Sequence, residues 1–166
     1  EGKRGGAFTS MTRNSLAITG ESRLSQELLE LSREAGLDAV LISDLAELTP
    51  ATPVVIETST SGVEKKKSIL QRLDLALPAP AVIITSCLGF ATTLMASWTA
   101  KPERIVGFAT FYPFKDRKVI ELTAGIRTEE SAIRSAEQLF KSIGKETVRV
   151  KDTPGLTFPR ILSLII

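Results

Sequence analysis

The chain has 166 residues, 43% of them apolar and 24% charged, which suits one domain with a buried core. Its net charge of +2 is close to balanced and argues against nucleic acid or an anionic membrane surface as a partner. There is no histidine and only one cysteine, Cys87, which excludes an internal disulfide and argues against a zinc site.

No apolar run approaches the roughly 20 residues needed to cross a bilayer. A lone cysteine suits a reducing compartment, so a soluble, cytoplasmic protein is expected. Residues 1–10, EGKRGGAFTS, lack apolar periodicity and precede Met11. They are read as an expression leader with Met11 as the native start; a basic transit peptide is the other reading.

From there, short apolar runs alternate with helical patterns, as in a parallel sheet covered by helices. Leu16–Thr19 reads as a strand ending at Gly20. Leu24, Leu28, Leu31 and Ala35 recur at helical spacing, and Gly36 follows as a stop signal. Ala39–Ile42 is a second strand, and Asp44–Leu48 a single helical turn before Pro50. Pro53–Glu57 is a third strand. Val63, Lys66, Ile69, Leu70 and Leu73 mark the next helix, with the run Lys65–Lys67 read as its solvated face. Ala81–Thr85 is a strand followed by a helix near Phe90–Trp98. Arg104–Thr110 and Lys118–Thr123 are strands joined through a turn at Pro113. Thr128 is the expected N-cap of a helix with the stripe Ala132, Ile133, Ala136, Leu139, Phe140 and Ile143, ended by Gly144. Thr147–Val150 is a final strand, and Arg160–Ile166 is apolar enough to start another helix.

A dinucleotide fold places three glycines after its first strand, for a tight turn, close approach to the pyrophosphate, and close packing of helix on strand. The matching stretch is Gly20-Glu21-Ser22-Arg23-Leu24-Ser25, so Gly20 alone keeps its type while Ser22 and Ser25 take the other places. A serine there still donates a hydrogen bond, but its Cβ intrudes on the phosphate's space. The acid expected after the second strand, for the adenosine ribose, is Ser43, with Asp44 next. Gly20 therefore reads either as a retained phosphate turn or as a plain strand-to-helix turn.

The stretch KPERIVGFATFYPFKDRKVIELT, then a helix, then GKETVRVKDTPGLTFPRIL, resembles the NAD-binding domain of the 3-hydroxyacyl-CoA dehydrogenase family. The likeness covers most of residues 15–162. It implies a Rossmann-like α/β fold, a mostly parallel sheet flanked by helices, with NAD as cofactor and 3-hydroxyacyl-CoA oxidation as the ancestral activity. Between Ser43 and Glu57 the chain is shorter than the family pattern, which implies loss of one strand and a helical segment after the second strand. The Rossmann-like domain is expected over 11–158. Residues 159–166 would begin a linker helix to an absent helical C-terminal domain through which such proteins form homodimers.

The same resemblance locates the family's catalytic groups. Its histidine base, followed by Phe-Phe-Asn-Pro, falls on Ala109, ahead of Thr110, Phe111, Tyr112 and Pro113. The glutamate that orients the histidine falls on Glu121. The catalytic serine is Leu88, two asparagines are Ser86 and Pro159, and an acidic residue of the cofactor loop is Ser61. Glu121 alone keeps its identity; it reads either as a retained site residue or as a strand-end charge. Cys87 has no histidine to activate it and reads as a small buried residue. Hydride transfer from an alcohol needs a base and oxygen-atom donors. Two readings stay open: an impaired oxidoreductase domain, and a non-catalytic module for binding, regulation or dimerisation. Acyl-CoA or a dinucleotide is the ligand class either way.

Overall fold

The computed structural model describes residues 16–48, 51–110, 112–157 and 161. The expected leader at 1–10, Met11, Phe111, Pro159 and all of the 159–166 stub except Ile161 lie outside the described residues.

Seven strands form one sheet: β1 (Leu16–Thr19), β2 (Ala39–Ile42), β3 (Val54–Glu57), β4 (Val82–Ser86), β5 (Ile105–Ala109), β6 (Val119–Ala124) and β7 (Glu146–Arg149). Their order is β2-β1-β3-β4-β5-β6-β7. Every pairing is parallel except β5 with β6. Near-continuous apolar strands such as VIITS in β4, buried at every position, are what a sheet covered on both faces requires.

The helices are α1 (Arg23–Glu34), α2 (Val63–Ala76), α3 (Thr92–Ser97) and α4 (Glu130–Ser142). One core joins Leu28 of α1 and Ile133, Ala136 and Phe140 of α4 to Ile18, Ile56, Ile84, Phe108 and Leu122 of the sheet. The opposite core joins Leu70 and Leu73 of α2 and Met95 of α3 to Ala17, Val55, Ile83 and Ile105. The alternating parity of each strand separates the two sets. Helices α1 and α2 thus cover opposite faces, and the winding reverses between β1 and β3.

In the common doubly wound order a third strand lies outside the second. Here, among the described residues, no strand lies beyond β2, and the chain passes from β2 through a 3-10 turn at Leu45–Glu47 to β3 on the other side of β1. The expected loss of one strand and its helical segment is seen directly in this order.

Two local expectations are corrected. Lys66 is buried, 1% exposed, so Lys65–Lys67 is not a uniformly solvated face. The helix turns Lys66 inward on the same side as Leu70 and Leu73, where Glu57 neutralises it. Thr128 does not cap α4, whose first turn follows Glu129. Its hydroxyl accepts from the Gly125 N–H at 2.9 Å and donates to the Ile105 carbonyl at 2.7 Å, tying the preceding turn to β5.

Candidate functional site

Ligands of open α/β sheets bind at the carboxyl ends of the strands, where the winding reverses. At that point, outside β1 and β3, lies a crevice of about 1080 Å³. Gly20, Ser22, Ser43 and Ser61 all line it, together with Arg23, Thr58, Lys65 and Arg72.

Gly20 has φ +127°, and a Cβ there would stand 2.2 Å from Thr58 Oγ1. Both constraints demand glycine. Ser22 caps α1 by accepting from the Ser25 N–H at 3.3 Å. Ser25 is fully buried and does not line the crevice, so its Cβ does not intrude on ligand space. Its hydroxyl donates to the Gly20 carbonyl at 2.8 Å and lies 2.6 Å from Thr58 Oγ1. Thr58 in turn donates to the Thr19 carbonyl at 3.2 Å. The hydroxyls that replace glycines are spent on closing the strand-to-helix turn.

At the end of β2, Ser43 offers a hydroxyl where a carboxylate is expected. Glu47 Oε1 accepts from the Ser43 N–H at 3.0 Å, the Ser43 hydroxyl at 3.1 Å and the Asp44 N–H at 2.8 Å. These bonds, led by the one from the Asp44 backbone, hold the Glu47 carboxyl below its ordinary range. Asp44 caps the turn through the Ala46 N–H at 3.1 Å.

The expected catalytic positions gather further along the same edge. Ala109 pairs directly with Glu121 across antiparallel β5 and β6. Ser86 ends β4 beside Phe108, and Leu88 follows in the next turn, partly exposed. Glu121 is 5% exposed, and its Oε2 accepts from the Thr157 N–H at 3.1 Å. Residue 109 therefore faces the glutamate as the alignment of motifs implies, but presents a methyl group. Cys87 is fully buried, donates to the Phe108 carbonyl at 3.1 Å, and has its thiol pushed up to about 12, chiefly by burial. A thiol so placed is no nucleophile. Among the described residues no cluster of three His, Cys, Asp or Glu side chains is placed to hold a metal ion, and no helix is long and apolar enough to cross a membrane.

The sequence reading missed a buried ion pair beneath the crevice. Lys66 Nζ donates to Glu57 and, at 2.8 Å, to the Ser59 carbonyl. Glu57 also accepts from Thr85 Oγ1 at 2.7 Å and the Ser59 N–H at 2.8 Å. Burial pushes the Lys66 ammonium down while Glu57 opposes that shift. The signal was available: Lys66 sits four residues before Leu70, in register with the buried stripe.

A doubly wound sheet, a glycine turn leading into a helix N-terminus, and a crevice where the winding reverses define a dinucleotide-binding α/β domain. Residues 11–153 match the family model described as 3-hydroxyacyl-CoA dehydrogenase, NAD binding domain, and the chain belongs to that family. It is 28% identical over 120 residues to 3-hydroxyadipyl-CoA dehydrogenase of Escherichia coli, covering 72% of this chain and 25% of that protein. It is 29% identical over 109 residues to 3-hydroxybutyryl-CoA dehydrogenase of Clostridioides difficile, covering 66% and 39%. With L-carnitine dehydrogenase of Streptomyces griseus the identity is 30% over 137 residues, covering 81% and 41%. The chain thus spans well under half the length of these relatives. The fold is similar to the crystal structure of (S)-3-hydroxybutyryl-CoA dehydrogenase from Ralstonia eutropha, with a TM-score of 0.82, 22% identity, and coverage of 93% of this chain and 69% of that one.

Proposed function

We propose that this domain binds a dinucleotide in the β1–β3 crevice without oxidising a 3-hydroxyacyl thioester, a family member kept as a binding, regulatory or dimerisation module. The observation that carries the reading is Ala109 opposite Glu121. No imidazole exists anywhere in the chain to take the alcohol proton.

The two halves of the crevice fit the family's cofactor differently. Gly20 makes a turn that only glycine satisfies, because Thr58 Oγ1 takes up the place of a Cβ, and the N-terminus of α1 beside that turn would favour a pyrophosphate. Bound NAD would supply the hydride acceptor. At the reacting end, Leu88 in place of a hydroxyl and Ser86 in place of an amide leave the substrate's oxygens without the family's donors. Losing a general base costs about 10²–10⁴-fold in rate, and losing oxygen donors adds to that. A carboxylate by itself is a weak base toward an alcohol at pH 7.

Cytoplasmic placement is supported by the single, buried Cys87. An acyl-CoA ligand and a homodimer formed through a helical C-terminal domain are the partners this reading carries over from the family.

The test is to titrate NADH by fluorescence and to follow acetoacetyl-CoA-dependent NADH oxidation. Saturable NADH binding with no oxidation above a protein-free control is expected. Sustained turnover would establish the other reading, an oxidoreductase domain working through Glu121.

A further inference from the structure

We propose that the adenosine end of the crevice accepts a 2′-phosphorylated dinucleotide, NADP(H), at least as well as NAD(H), with Arg72 as the phosphate contact. This rests on the reading above that the β1–β3 crevice holds a dinucleotide. In such sites a carboxylate at the end of the second strand takes the ribose hydroxyls, and its charge repels a 2′-phosphate. An arginine nearby accommodates that phosphate instead.

At the end of β2 the ribose-binding position carries a hydroxyl, and the nearest charges, Asp44 and Glu47, are displaced from it by one residue and by four. Ile42 is its last residue, and Ser43 follows with a hydroxyl. The two carboxylates close by are committed elsewhere. Glu47 Oε1 is turned back onto the Ser43 and Asp44 backbone. Asp44 Oδ1 caps the 3-10 turn through the Ala46 N–H. A carboxylate with one oxygen already engaged by its own main chain has fewer acceptor sites for ribose hydroxyls than a free one.

The attracting group is present. Arg72 lines the crevice, and its side chain is 61% exposed. Its Nη2 forms an exposed ion pair with Asp44 Oδ1 at 3.7 Å, too long for a hydrogen bond, so a phosphate would compete with Asp44 for the guanidinium's donors. Three cations, Arg23, Lys65 and Arg72, line the crevice with the carboxylates Glu21 and Asp44, and Glu47 lies against Ser43 and Asp44. Among the described residues no strand lies outside β2, which leaves that side of the ribose site open.

The experiment compares dissociation constants for NADH and NADPH by fluorescence titration of the protein, of Arg72→Gln and of Ser43→Asp. The unaltered protein is expected to bind NADPH as tightly as NADH or tighter. Arg72→Gln should weaken NADPH about tenfold more than NADH, the loss of one charge-assisted contact. Ser43→Asp should move the ratio about tenfold toward NADH by restoring the carboxylate. NADH bound more than tenfold tighter than NADPH by the unaltered protein would overturn the inference and leave the crevice reading standing. If neither nucleotide binds, the crevice reading fails and the inference falls with it.

Discussion

Ala109 and Glu121 are direct partners across antiparallel β5 and β6, both almost wholly buried. The register places the methyl group of residue 109 opposite a carboxylate. Ala109→His would place an imidazole against Glu121 in a site packed for a methyl group. Overpacking of this kind costs about 1–3 kcal/mol, read as a lower denaturant midpoint. On the proposed reading, which leaves the substrate's oxygens without donors at Leu88 and Ser86, the change by itself should leave NADH oxidation at background. Adding Leu88→Ser and Ser86→Asn should raise the rate at least about tenfold, within the range a positioned base provides.

Gly20 and Gly36 both have positive φ, +127° and +81°, but they differ in their surroundings. A Cβ at Gly36 meets nothing within 4 Å, whereas one at Gly20 meets Thr58 Oγ1 at 2.2 Å. Gly36→Ala should cost about 1 kcal/mol, the backbone penalty alone. Gly20→Ala should cost up to about 3 kcal/mol and weaken NADH binding as well, because the turn must shift. Equal losses in parallel chemical denaturations would contradict the close approach.

Lys66 and Glu57 form a buried pair, 1% and 0% exposed. Lys66→Met leaves a buried carboxylate without its cation and should destabilise by about 3–5 kcal/mol. Lys66→Met combined with Glu57→Gln should cost clearly less than the sum of the two single changes, which a double-mutant cycle reads directly. Simple additivity would mean the charges do not depend on each other.

Acid stability should report on the Glu130 cluster. Arg149 and then Arg134 hold the Glu130 carboxyl at about 2, below its ordinary 4.5. A carboxyl depressed in the folded state contributes stability above its unfolded value and loses that contribution as the pH falls from 4.5 toward about 2. Thermal scans across that window should show a fall that Arg149→Gln flattens. The groups are exposed, so 1 M salt should reduce the effect. A slope unchanged by the substitution would place the acid sensitivity elsewhere.

Strands were legible from apolar runs such as Pro53–Glu57 and Ala81–Thr85, within a residue of the observed Val54–Glu57 and Val82–Ser86, and helices from periodicity, because each element buries one continuous set of side chains. The family resemblance singled out positions 109 and 121 by motif alone, and their pairing across β5 and β6 is seen only in the sheet. What periodicity alone does not reveal is the partner of a charge. Lys66 lies among lysines, and only the fold shows that the end of β3 brings Glu57 beneath it. Thr128 has the sequence signature of a cap, yet β5 supplies the Ile105 carbonyl as its hydroxyl's acceptor. The Ser22, Ser25 and Thr58 cluster joins residues 33 and 36 positions apart, beyond the reach of any local pattern.

The position of β2 at the outside of the sheet has one more effect. A border strand presents a row of unpaired N–H and C=O groups on which another chain can dock. This one is four residues long, and directly after it Glu47 claims the next two backbone N–H groups, those of Ser43 and Asp44. The carboxylate serves as a selvedge, binding off the two backbone N–H groups that follow the border strand.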